Sequence, residues 1–370
     1  MIMIRLISSS SILLKLLLLS LIILISLSIK EAEPEDLDNI RDLVPFPNLF
    51  IIGTQKCGTT SLNKLLFEHP EICSEGVKEK HFYSEKGYRS HARIKDYMYE
   101  FAGCKKWQIT VDATPSYVSI PEVTDRLNIS YSADSLSKKK FILLLRDPVS
   151  RHYSEYQRVL RICFRIIDED EELEHATTTR SPEEKVERAK MKCGVCMRNS
   201  SSSKLIVSKE NAMTFAEWNE SPYGSKEVRR GAYLPEIKRW LTIIKRSQLF
   251  IMNFAQLVTD TTDMMYRISA FLQIDAKKFL NDPTRTKILL PKPPVSNSYV
   301  EWDPAYLDCE TYDLLDRYYN ETNDGLVDFI NSAIDKPKSE PNFIPFISGR
   351  SKCKGSSPFL PTRELRTLDV

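Results

Sequence analysis

The stretch that decides the fold is FIIGTQKCGTTSL, residues 50–62. An apolar run, which predicts a buried strand, leads into a loop bracketed by Gly53 and Gly58 and then into the start of a helix. Such loops bind phosphate, because successive backbone N–H groups converge on an anion at the positive end of the helix. The nucleotide-triphosphate version is G-x-x-x-x-G-K-[ST]. Here Thr59 occupies the lysine position, and the lysine lies inside the loop as Lys56.

The displaced lysine indicates which ligand the loop binds. A kinase-type loop needs a metal-binding Ser or Thr directly after its lysine, and that requirement fails here. Backbone amides, the hydroxyls of Thr59 and Thr60 and a lysine inside the loop suit 3′-phosphoadenosine 5′-phosphosulfate, with no metal required. Lys56 would then neutralise the charge that grows on the bridging oxygen as the S–O bond breaks. The alternative is an ordinary strand–turn–helix with an unused lysine.

A second segment, LLLRDPVSRHYSEY, predicts a further phosphate contact. Arg146 ends a strand, Pro148 lies where a helix would start, and Ser154 follows about two turns into that helix. An arginine and a hydroxyl placed in this way can jointly hold a second phosphate. A plain helix-start turn with a structural ion pair or cap explains the segment equally well.

The rest of the chain alternates strand-like and helical patterns. Further strands are predicted at 107–113, 138–146 and 247–254, with helices between and after them and a last helical run at 310–331. This alternation predicts an α/β fold, a doubly wound and largely parallel sheet flanked by helices, with ligands at the carboxyl ends of its strands. The charged stretch 165–210 predicts an exposed insertion.

The N-terminus carries an apolar segment, residues 6–29, that is built from Leu, Ile and Ser and interrupted only by Lys15. Counted whole, it is long enough to span a bilayer, which takes roughly 20 residues. Counted after Lys15, it is nearer to a signal-peptide core, although SLSIKEAEPE is a poor cleavage site. We favour an uncleaved signal-anchor, with a cytosolic tail (1–5), a transmembrane helix (6–29) and a stem (30–47).

Other features favour the secretory pathway. The eight cysteines are expected to pair in part in an oxidising compartment. Cys193 and Cys196 form a lone CxxC, for which a loop disulfide or separate partners are preferred over zinc. The net charge of +2 gives no reason to expect nucleic-acid binding. Four N-x-[ST] sequons predict glycosylation at Asn128, Asn199, Asn219 and Asn320.

Together the two phosphate segments resemble the sulfotransferase superfamily. GTQKCGTTS looks like its 5′-phosphosulfate loop and RDPVSRHYS like its 3′-phosphate segment. Phe50–Glu85 is similar to the start of the Golgi heparan sulfate 3-O-sulfotransferases and to the N-acetylgalactosamine 4-sulfate 6-O-sulfotransferases. The similarity covers residues 48–333, which implies a P-loop-like sulfotransferase domain followed by a weakly structured tail (334–370).

The resemblance implies which residues contact the donor, 3′-phosphoadenosine 5′-phosphosulfate. From the two segments these are Lys56, Cys57, Gly58, Thr59, Thr60, Ser61, Arg146 and Ser154. The heparan sulfate 3-O-sulfotransferases carry a K-G-R-x-H-P-like loop against the nucleotide, within a disulfide hairpin. In this chain the corresponding stretch is LLPKPPVSNSYVEWDP, where Lys292 and Ser296 are the candidate substitutes for the donor contacts of that loop. This departure weakens a strict heparan 3-O assignment. Cys309 and Cys353 are expected to pair instead and close the tail onto the domain.

The segment VKEKHFYSE carries the candidate base, since sulfuryl transfer to a hydroxyl needs a base near the acceptor oxygen. The resemblance assigns that role to Glu79, whereas residue chemistry alone favours His81, which then becomes a positioning residue. The alternative is a solvated loop in which Glu79 pairs with a neighbouring lysine and His81 packs on Phe82. Predicted acceptor contacts are Lys78, Lys80, Asp112, Thr114 and Tyr233.

These observations predict a Golgi type II membrane enzyme with a lumenal catalytic domain. It would transfer a sulfuryl group in line to a carbohydrate hydroxyl, on a glycosaminoglycan of chondroitin/dermatan or heparan type. The alternatives are a sulfotransferase for protein tyrosine or another polysaccharide, a kinase, and a non-catalytic binding protein on the same fold. Glu79 beside the two donor segments favours an enzyme, because a pure binder needs no base.

Overall fold

The fold is built on a parallel sheet. The computed structural model describes residues 47–73, 78–174, 212–280, 307–350 and 353. Within these ranges five strands form one sheet in the order β2-β3-β1-β4-β5, and every neighbouring pair is parallel. The strands are β1 Leu49–Gly53, β2 Ile72–Cys73, β3 Ile109–Asp112, β4 Lys140–Leu145 and β5 Leu249–Asn253.

Helices cover both faces of this sheet. In the first half of the chain they are α1 Thr59–Phe67, α2 His91–Tyr99, α3 Pro121–Ser130, α4 Ala133–Ser137 and α5 Pro148–Glu174. In the second half they are α6 Phe215–Glu220, α7 Pro222–Val228, α8 Tyr233–Trp240, α9 Phe254–Thr259, α10 Thr261–Leu272, α11 Lys277–Leu280, α12 Cys309–Thr322 and α13 Leu326–Ser332. The prediction of a parallel sheet flanked by helices is confirmed.

The apolar runs read from the sequence form the core. β1 and β5 are buried along their whole length, as a strand between two helical layers must be. One cluster packs α1 and α10 against the sheet, through residues such as Leu62 and Ile268. A second cluster joins α5, α6 and α12, through residues such as Tyr156, Trp218 and Tyr319. The first cluster thus holds the central strands, and the second holds α5, the helix that follows β4.

Three elements differ from the sequence pattern. β2 was not predicted, because a strand of two residues leaves no periodic signal. The single helical run predicted at 310–331 is two helices, since Gly325 takes a φ of 71° between α12 and α13. α5 continues to Glu174, so the predicted insertion at 165–210 begins as helix, and its later part lies outside the described residues.

The segment after α13 is fastened to the domain although it forms no α-helix or strand in the described range 333–350. Glu340 is 4% exposed, pairs with buried Arg246 and accepts a hydrogen bond of 2.9 Å from the Ile251 backbone N–H at the sheet edge. The expected disulfide between Cys309 and Cys353 is present, as is a second one between Cys73 and Cys104.

Several sequence predictions fall outside the described residues: the signal-anchor and stem (1–46), Asn199, the CxxC pair, Lys292 and Ser296. Within the described ranges, no helix combines the length and apolarity that a membrane crossing requires. Of the three sequons that the structure describes, those at Asn128 and Asn320 carry exposed side chains, whereas Asn219 is half-buried.

Candidate active site

Three loops meet at the carboxyl edge of the sheet. Because β3, β1 and β4 are adjacent and parallel, the segments that follow them lie side by side. These are residues 113–114 after β3, the glycine-bracketed loop 54–58 after β1, and Arg146 after β4. The two predicted phosphate segments are therefore brought together at one edge.

The loop after β1 fits an anion. Gly58 takes a φ of 86° as the N-cap of α1, and a Cβ there would lie 2.6 Å from the Phe254 ring, so only glycine fits. The first N–H groups of a helix have no intrahelical partner, and among the described residues no side chain at the N-cap of α1 bonds to them, so they are available to a ligand. Thr60 is exposed at this turn, Ser61 is half-buried and Thr59 is buried.

Lys56 lies at the centre of the loop with a φ of 68°. Burial lowers the pKa of Lys56 to about 8, and nearby arginines add to the effect, while Glu155 acts in the opposite direction. The arginines whose charges act on Lys56 are Arg158, Arg161 and Arg146. An excess of positive charge therefore surrounds the loop, which is the environment that a phosphosulfate needs.

Cys57 is placed differently from its neighbours. Its thiol is fully buried, and burial raises the pKa of Cys57 to about 11, so the side chain belongs to the core beneath the loop. Its N–H donates to the Thr54 carbonyl over 3.2 Å. Cys57 thus shapes the loop from below, and its predicted contact with the donor stays a prediction.

Arg146 is the residue that joins β4 to the loop. Its Nη1 donates to the Lys56 carbonyl over 3.3 Å, and its guanidinium lies 5.3 Å from the centre of the Phe254 ring. The Arg146 carbonyl accepts a 2.8 Å hydrogen bond from the hydroxyl of Tyr233, which is only 2% exposed. This geometry gives Tyr233 a positioning role beneath Arg146 and does not favour the predicted acceptor contact. Ser154 is half-buried two turns into α5.

The segment 78–84 places the candidate base beside the end of β3. The Glu79 N–H donates to the Ala113 carbonyl over 3.1 Å, and the His81 N–H donates to Thr114 Oγ1 over 3.4 Å. Glu79 and His81 both have positive φ values, 64° and 55°, in the left-handed region that costs energy outside glycine. Their side chains remain accessible at 36% and 39% exposure, with His81 Nε2 lying 3.7 Å from Glu79 Oε2.

The two lysines of this segment behave differently. Lys78 Nζ lies 2.5 Å from Glu79 Oε1, which is the pairing that the alternative interpretation of the segment expects. Lys80 points inward: its side chain is 3% exposed, pairs with Glu100 and lies 4.8 Å from the centre of the Phe101 ring. Lys80 is therefore a support for the segment, and its burial does not favour contact with an acceptor.

Asp112 anchors a buried network under the same segment. Its carboxylate accepts hydrogen bonds from the hydroxyls of Tyr97 (2.8 Å), Tyr117 (3.0 Å) and Thr114 (2.6 Å). Burial raises the pKa of Asp112, against these hydrogen bonds, which lower it. Asp112 and Thr114 are both 0% exposed, so they hold the base segment in place and present no surface to an acceptor.

Buried carboxylates hold several arginines near the loop after β1, and among these the sequence had indicated only Arg230, as a basic residue near a helix start. Glu155 pairs with Arg158 on α5, and Glu227 on α7 lies 3.0 Å from Arg230 and 3.7 Å from buried Arg151. Arg230 also donates to Gln55 in the loop. A signal was present in the α5 sequence: Ser154, Arg158 and Arg161 follow at i, i+4 and i+7, which is one helix face.

No group of three or more His, Cys, Asp or Glu side chains within the described ranges is arranged to hold a metal ion. The loop after β1 and its surroundings carry backbone amides, hydroxyls and cations, which are groups that can donate hydrogen bonds to a phosphosulfate. They fit the ligand that the loop sequence indicates.

Comparison with known proteins identifies relatives of the whole sheet region. The profile of a family described as "Sulfotransferase domain" matches residues 46–289. The chain is 32% identical over 114 residues to membrane-associated sulfotransferase kil1 of Dictyostelium discoideum, covering 31% of this chain and 23% of that one. It is 33% identical over 135 residues to mouse heparan sulfate glucosamine 3-O-sulfotransferase 3A1, covering 36% and 32%.

A longer match is found with mouse carbohydrate sulfotransferase 15, which is 23% identical over 297 residues, or 68% of this chain and 47% of that one. The matches thus span less than half the length of each of these three relatives. The loop after β1, the base segment and the residue after β4 all fall within the range that the family profile matches.

Proposed function

This chain belongs to the sulfotransferase family, and from that premise we propose that it transfers a sulfuryl group from 3′-phosphoadenosine 5′-phosphosulfate to a carbohydrate hydroxyl. The observation that supports the proposal is the placement of an accessible carboxylate, Glu79, beside the end of β3, and of a half-buried cation, Lys56, in the loop after the neighbouring strand β1. A base and a stabiliser of the leaving group are the two functions that this reaction requires.

Glu79 acts as the general base. Its carboxylate accepts the proton of the acceptor hydroxyl while the hydroxyl oxygen forms its bond to sulfur. The buried Asp112 network and the contacts with Ala113 and Thr114 fix the segment, so Glu79 keeps its orientation without reorganisation. His81, 3.7 Å from the same carboxylate, positions Glu79 and the acceptor.

Lys56 stabilises the leaving phosphate. As the S–O bond breaks, the electron pair stays on the phosphate oxygen, and in this proposal the ammonium group of Lys56 and the N–H groups of the first turn of α1 stabilise the charge that develops there. Arg146 and Ser154 hold the 3′-phosphate, which fixes the nucleotide in the cleft.

The acceptor is a glycosaminoglycan chain of heparan or chondroitin/dermatan type. The arginines around the loop suit an anionic polysaccharide, and two relatives are named for sulfation of heparan sulfate glucosamine and of carbohydrate. The alternative acceptors are protein tyrosine and neutral polysaccharides, and the activity assay described below distinguishes them from a glycosaminoglycan.

We place the protein in the Golgi membrane, as a glycosylated type II protein anchored by residues 6–29. Support comes from the apolar N-terminal segment, from two disulfides, which are typical of oxidising compartments, and from a relative described as membrane-associated. Localisation of a tagged full-length chain, with protease protection of the tag at either end, tests this proposal.

The test of activity uses the full-length chain, a ³⁵S-labelled donor and a panel of chondroitin, dermatan, heparan and neutral glycans. We expect label in an anionic glycan with the wild type and no label with Glu79→Ala. Arg267→Ala is the control, because it removes an exposed ion pair with Asp263 on α10 and should leave the labelling unchanged. Binding of the donor product without transfer to any glycan would point to another acceptor class. Absence of donor binding would refute the proposal.

A further inference from the structure

Arg230 connects the helices of the second half of the chain to the loop after β1. It lies in a single 3₁₀ turn, Arg229–Gly231, between α7 and α8. Its Nη1 donates a hydrogen bond to the side-chain oxygen of Gln55, which lies 175 positions earlier in the chain. Gln55 is half-buried and directly precedes Lys56 in the loop. A contact between distant parts of the sequence therefore ties the loop to the turn between α7 and α8.

The Arg230 side chain is oriented by a buried carboxylate. Glu227, which is 1% exposed, lies 3.0 Å from Arg230 Nη1. Glu227 is itself fixed by the fully buried Arg151 of α5: Nη2 of Arg151 donates to the Glu227 backbone carbonyl over 2.6 Å, and Nη1 lies 3.7 Å from the carboxylate. A guanidinium held by a buried partner has little rotamer freedom left to lose, so its hydrogen bond to Gln55 costs little conformational entropy.

The backbone on both sides of Arg230 is attached to α12. The Val228 carbonyl accepts a 2.9 Å hydrogen bond from the Tyr319 hydroxyl, and the Gly231 carbonyl accepts a 2.8 Å hydrogen bond from Nδ2 of Asn323. The turn packs so closely on this helix that a Cβ at Gly231 would clash with the Tyr319 ring. Arg230 therefore reaches the loop from a fixed backbone.

Two arginines hold neighbouring residues of the loop. Arg146, which follows β4, donates to the Lys56 carbonyl over 3.3 Å, and Arg230 binds the side chain of the preceding residue, Gln55. Lys56 has a φ of 68°, in the left-handed region, and a residue other than glycine keeps that conformation only where its surroundings enforce it. The contact between Arg230 and Gln55 is one of the restraints that act on this part of the loop.

We propose that Arg230 is a positioning residue of the donor site. By holding Gln55, it keeps the loop and Lys56 in the conformation that receives the phosphosulfate, and so reduces the ordering that donor binding requires. Glu227 orients Arg230 for this role. Arg230 acts through Gln55 and does not itself contact the nucleotide. The inference rests on the proposed function, because it takes the ligand of the loop to be the nucleotide donor.

A double-mutant cycle on the binding of adenosine 3′,5′-bisphosphate tests this role. Calorimetry would measure the dissociation constant for the full-length wild type, Gln55→Ala, Arg230→Ala and the double variant. We expect each single variant to weaken binding about three- to tenfold, the range for one ordered side chain that becomes free. The double variant should match the single variants within about twofold, since the loss of either partner breaks the same contact.

Arg230→Lys separates the contact from the charge. Lysine keeps the charge and can donate to Gln55, so it should recover part of the affinity when Gln55 is present. In the Gln55→Ala background, Arg230→Lys and Arg230→Ala should bind the bisphosphate equally, within about twofold.

Arg239→Ala is the matched control and should bind the bisphosphate like the wild type. Its side chain is 25% exposed, against 20% for Arg230, and both arginines pair with a glutamate three residues earlier. The contacts of Arg239 with Glu236 and with the Val118 carbonyl lie outside the loop. Urea denaturation checks that each variant is folded.

Losses that multiply in the double variant would show that Arg230 contacts the nucleotide or acts through its charge, and would overturn the inference. A Gln55→Ala variant that binds as tightly as Arg239→Ala would also overturn it, and this variant is informative even if Arg230→Ala does not fold. A wild type that does not bind the bisphosphate would refute the proposed function and, with it, this inference.

Discussion

The guanidinium of Arg146 donates a 3.3 Å hydrogen bond to the carbonyl oxygen of Lys56, so the residue after β4 holds the loop after β1. The same arginine lies over the Phe254 ring and is held from behind by the Tyr233 hydroxyl. Arg146 therefore fixes the conformation of the loop, and its charge lies beside the proposed donor site.

Replacement of Arg146 should weaken the donor site in both respects. We expect Arg146→Ala to reduce the affinity for adenosine 3′,5′-bisphosphate by about 10- to 100-fold, since a hydrogen bond to a charged group contributes roughly 1.5–3 kcal/mol. Arg146→Lys should recover part of the loss, because it restores the charge without the fork geometry. Calorimetry measures the dissociation constants. An Arg146→Ala variant that binds the bisphosphate as tightly as the control Arg267→Ala would contradict the donor-binding role of Arg146.

The lowered pKa of Lys56 predicts a pH dependence of donor binding. Burial brings that pKa to about 8, so Lys56 is charged below this pH and neutral above it. The charged form binds the anion, and the phosphates keep their charge above about pH 7. Affinity for the bisphosphate should be level between about pH 7 and 7.5 and should fall above pH 8, approaching tenfold per pH unit.

Lys56→Arg is the matched variant for this prediction. Arginine stays protonated over the whole range, so the decline above pH 8 should disappear even if the affinity at pH 7 is lower. A wild-type affinity that stays constant up to about pH 9.5 would show that Lys56 does not carry the charge that the anion recognises.

Glu79 and His81 should differ in kinetics. We expect Glu79→Gln to lower kcat by about 10²- to 10⁴-fold, as for loss of a general base, with bisphosphate affinity unchanged. His81→Ala should lower kcat less, by about 10-fold, because it removes only the neighbour 3.7 Å from the carboxylate. The reverse order of effects would assign the base to His81.

Four of the five strands and the positions of both phosphate segments were predictable, because long apolar runs and a glycine-bracketed loop leave local patterns. β2 was not, since pairing of Ile72 and Cys73 with β3 depends on a neighbour distant in sequence. The packing of the segment around Glu340 could not be predicted from the sequence either. Its ion pair with Arg246 spans 94 residues, and no local period records such a contact.

Residue type does not predict the exposure of a side chain. The sequence predicted that Lys80, Asp112 and Tyr233 contact the acceptor, but only the fold reveals that their side chains are almost fully buried beneath the surface. Conversely, nothing in the sequence singled out Arg158, and only the fold reveals its ion pair with the buried carboxylate of Glu155.

Asn219 should be structural, in contrast to the other described sequons. Its Oδ1 accepts a 3.0 Å hydrogen bond from Nε2 of His152, which is fully buried and whose pKa burial holds well below the usual range. Asn219→Ala leaves this neutral imidazole without its partner and should lower the free energy of unfolding by about 1–3 kcal/mol. Urea denaturation measures the change. Asn128→Ala, at an exposed position on α3, should be within about 0.5 kcal/mol of wild type.

The Cys309–Cys353 disulfide should affect the donor site as well as stability. The disulfide fixes the segment that contains Gly349. The Gly349 N–H donates a 3.1 Å hydrogen bond to the Tyr312 hydroxyl. Gly349 also lies close to Ser150, since a Cβ added at Gly349 would be 2.7 Å from the Ser150 hydroxyl oxygen. Ser150 is in the first turn of α5, beside the proposed 3′-phosphate site.

Removal of either disulfide, as a Cys→Ser pair, should lower the free energy of unfolding by about 2–4 kcal/mol, through the larger freedom of the unfolded chain. Only the double variant Cys309→Ser, Cys353→Ser should also lower the affinity for adenosine 3′,5′-bisphosphate, by about three- to tenfold, or roughly 0.6–1.4 kcal/mol of binding free energy. The Cys73→Ser, Cys104→Ser pair is the control, because it lies at β2, away from α5. Equal bisphosphate affinities in the two variants, measured by calorimetry under conditions where both are folded, would show that the segment stabilises the domain without shaping the donor site.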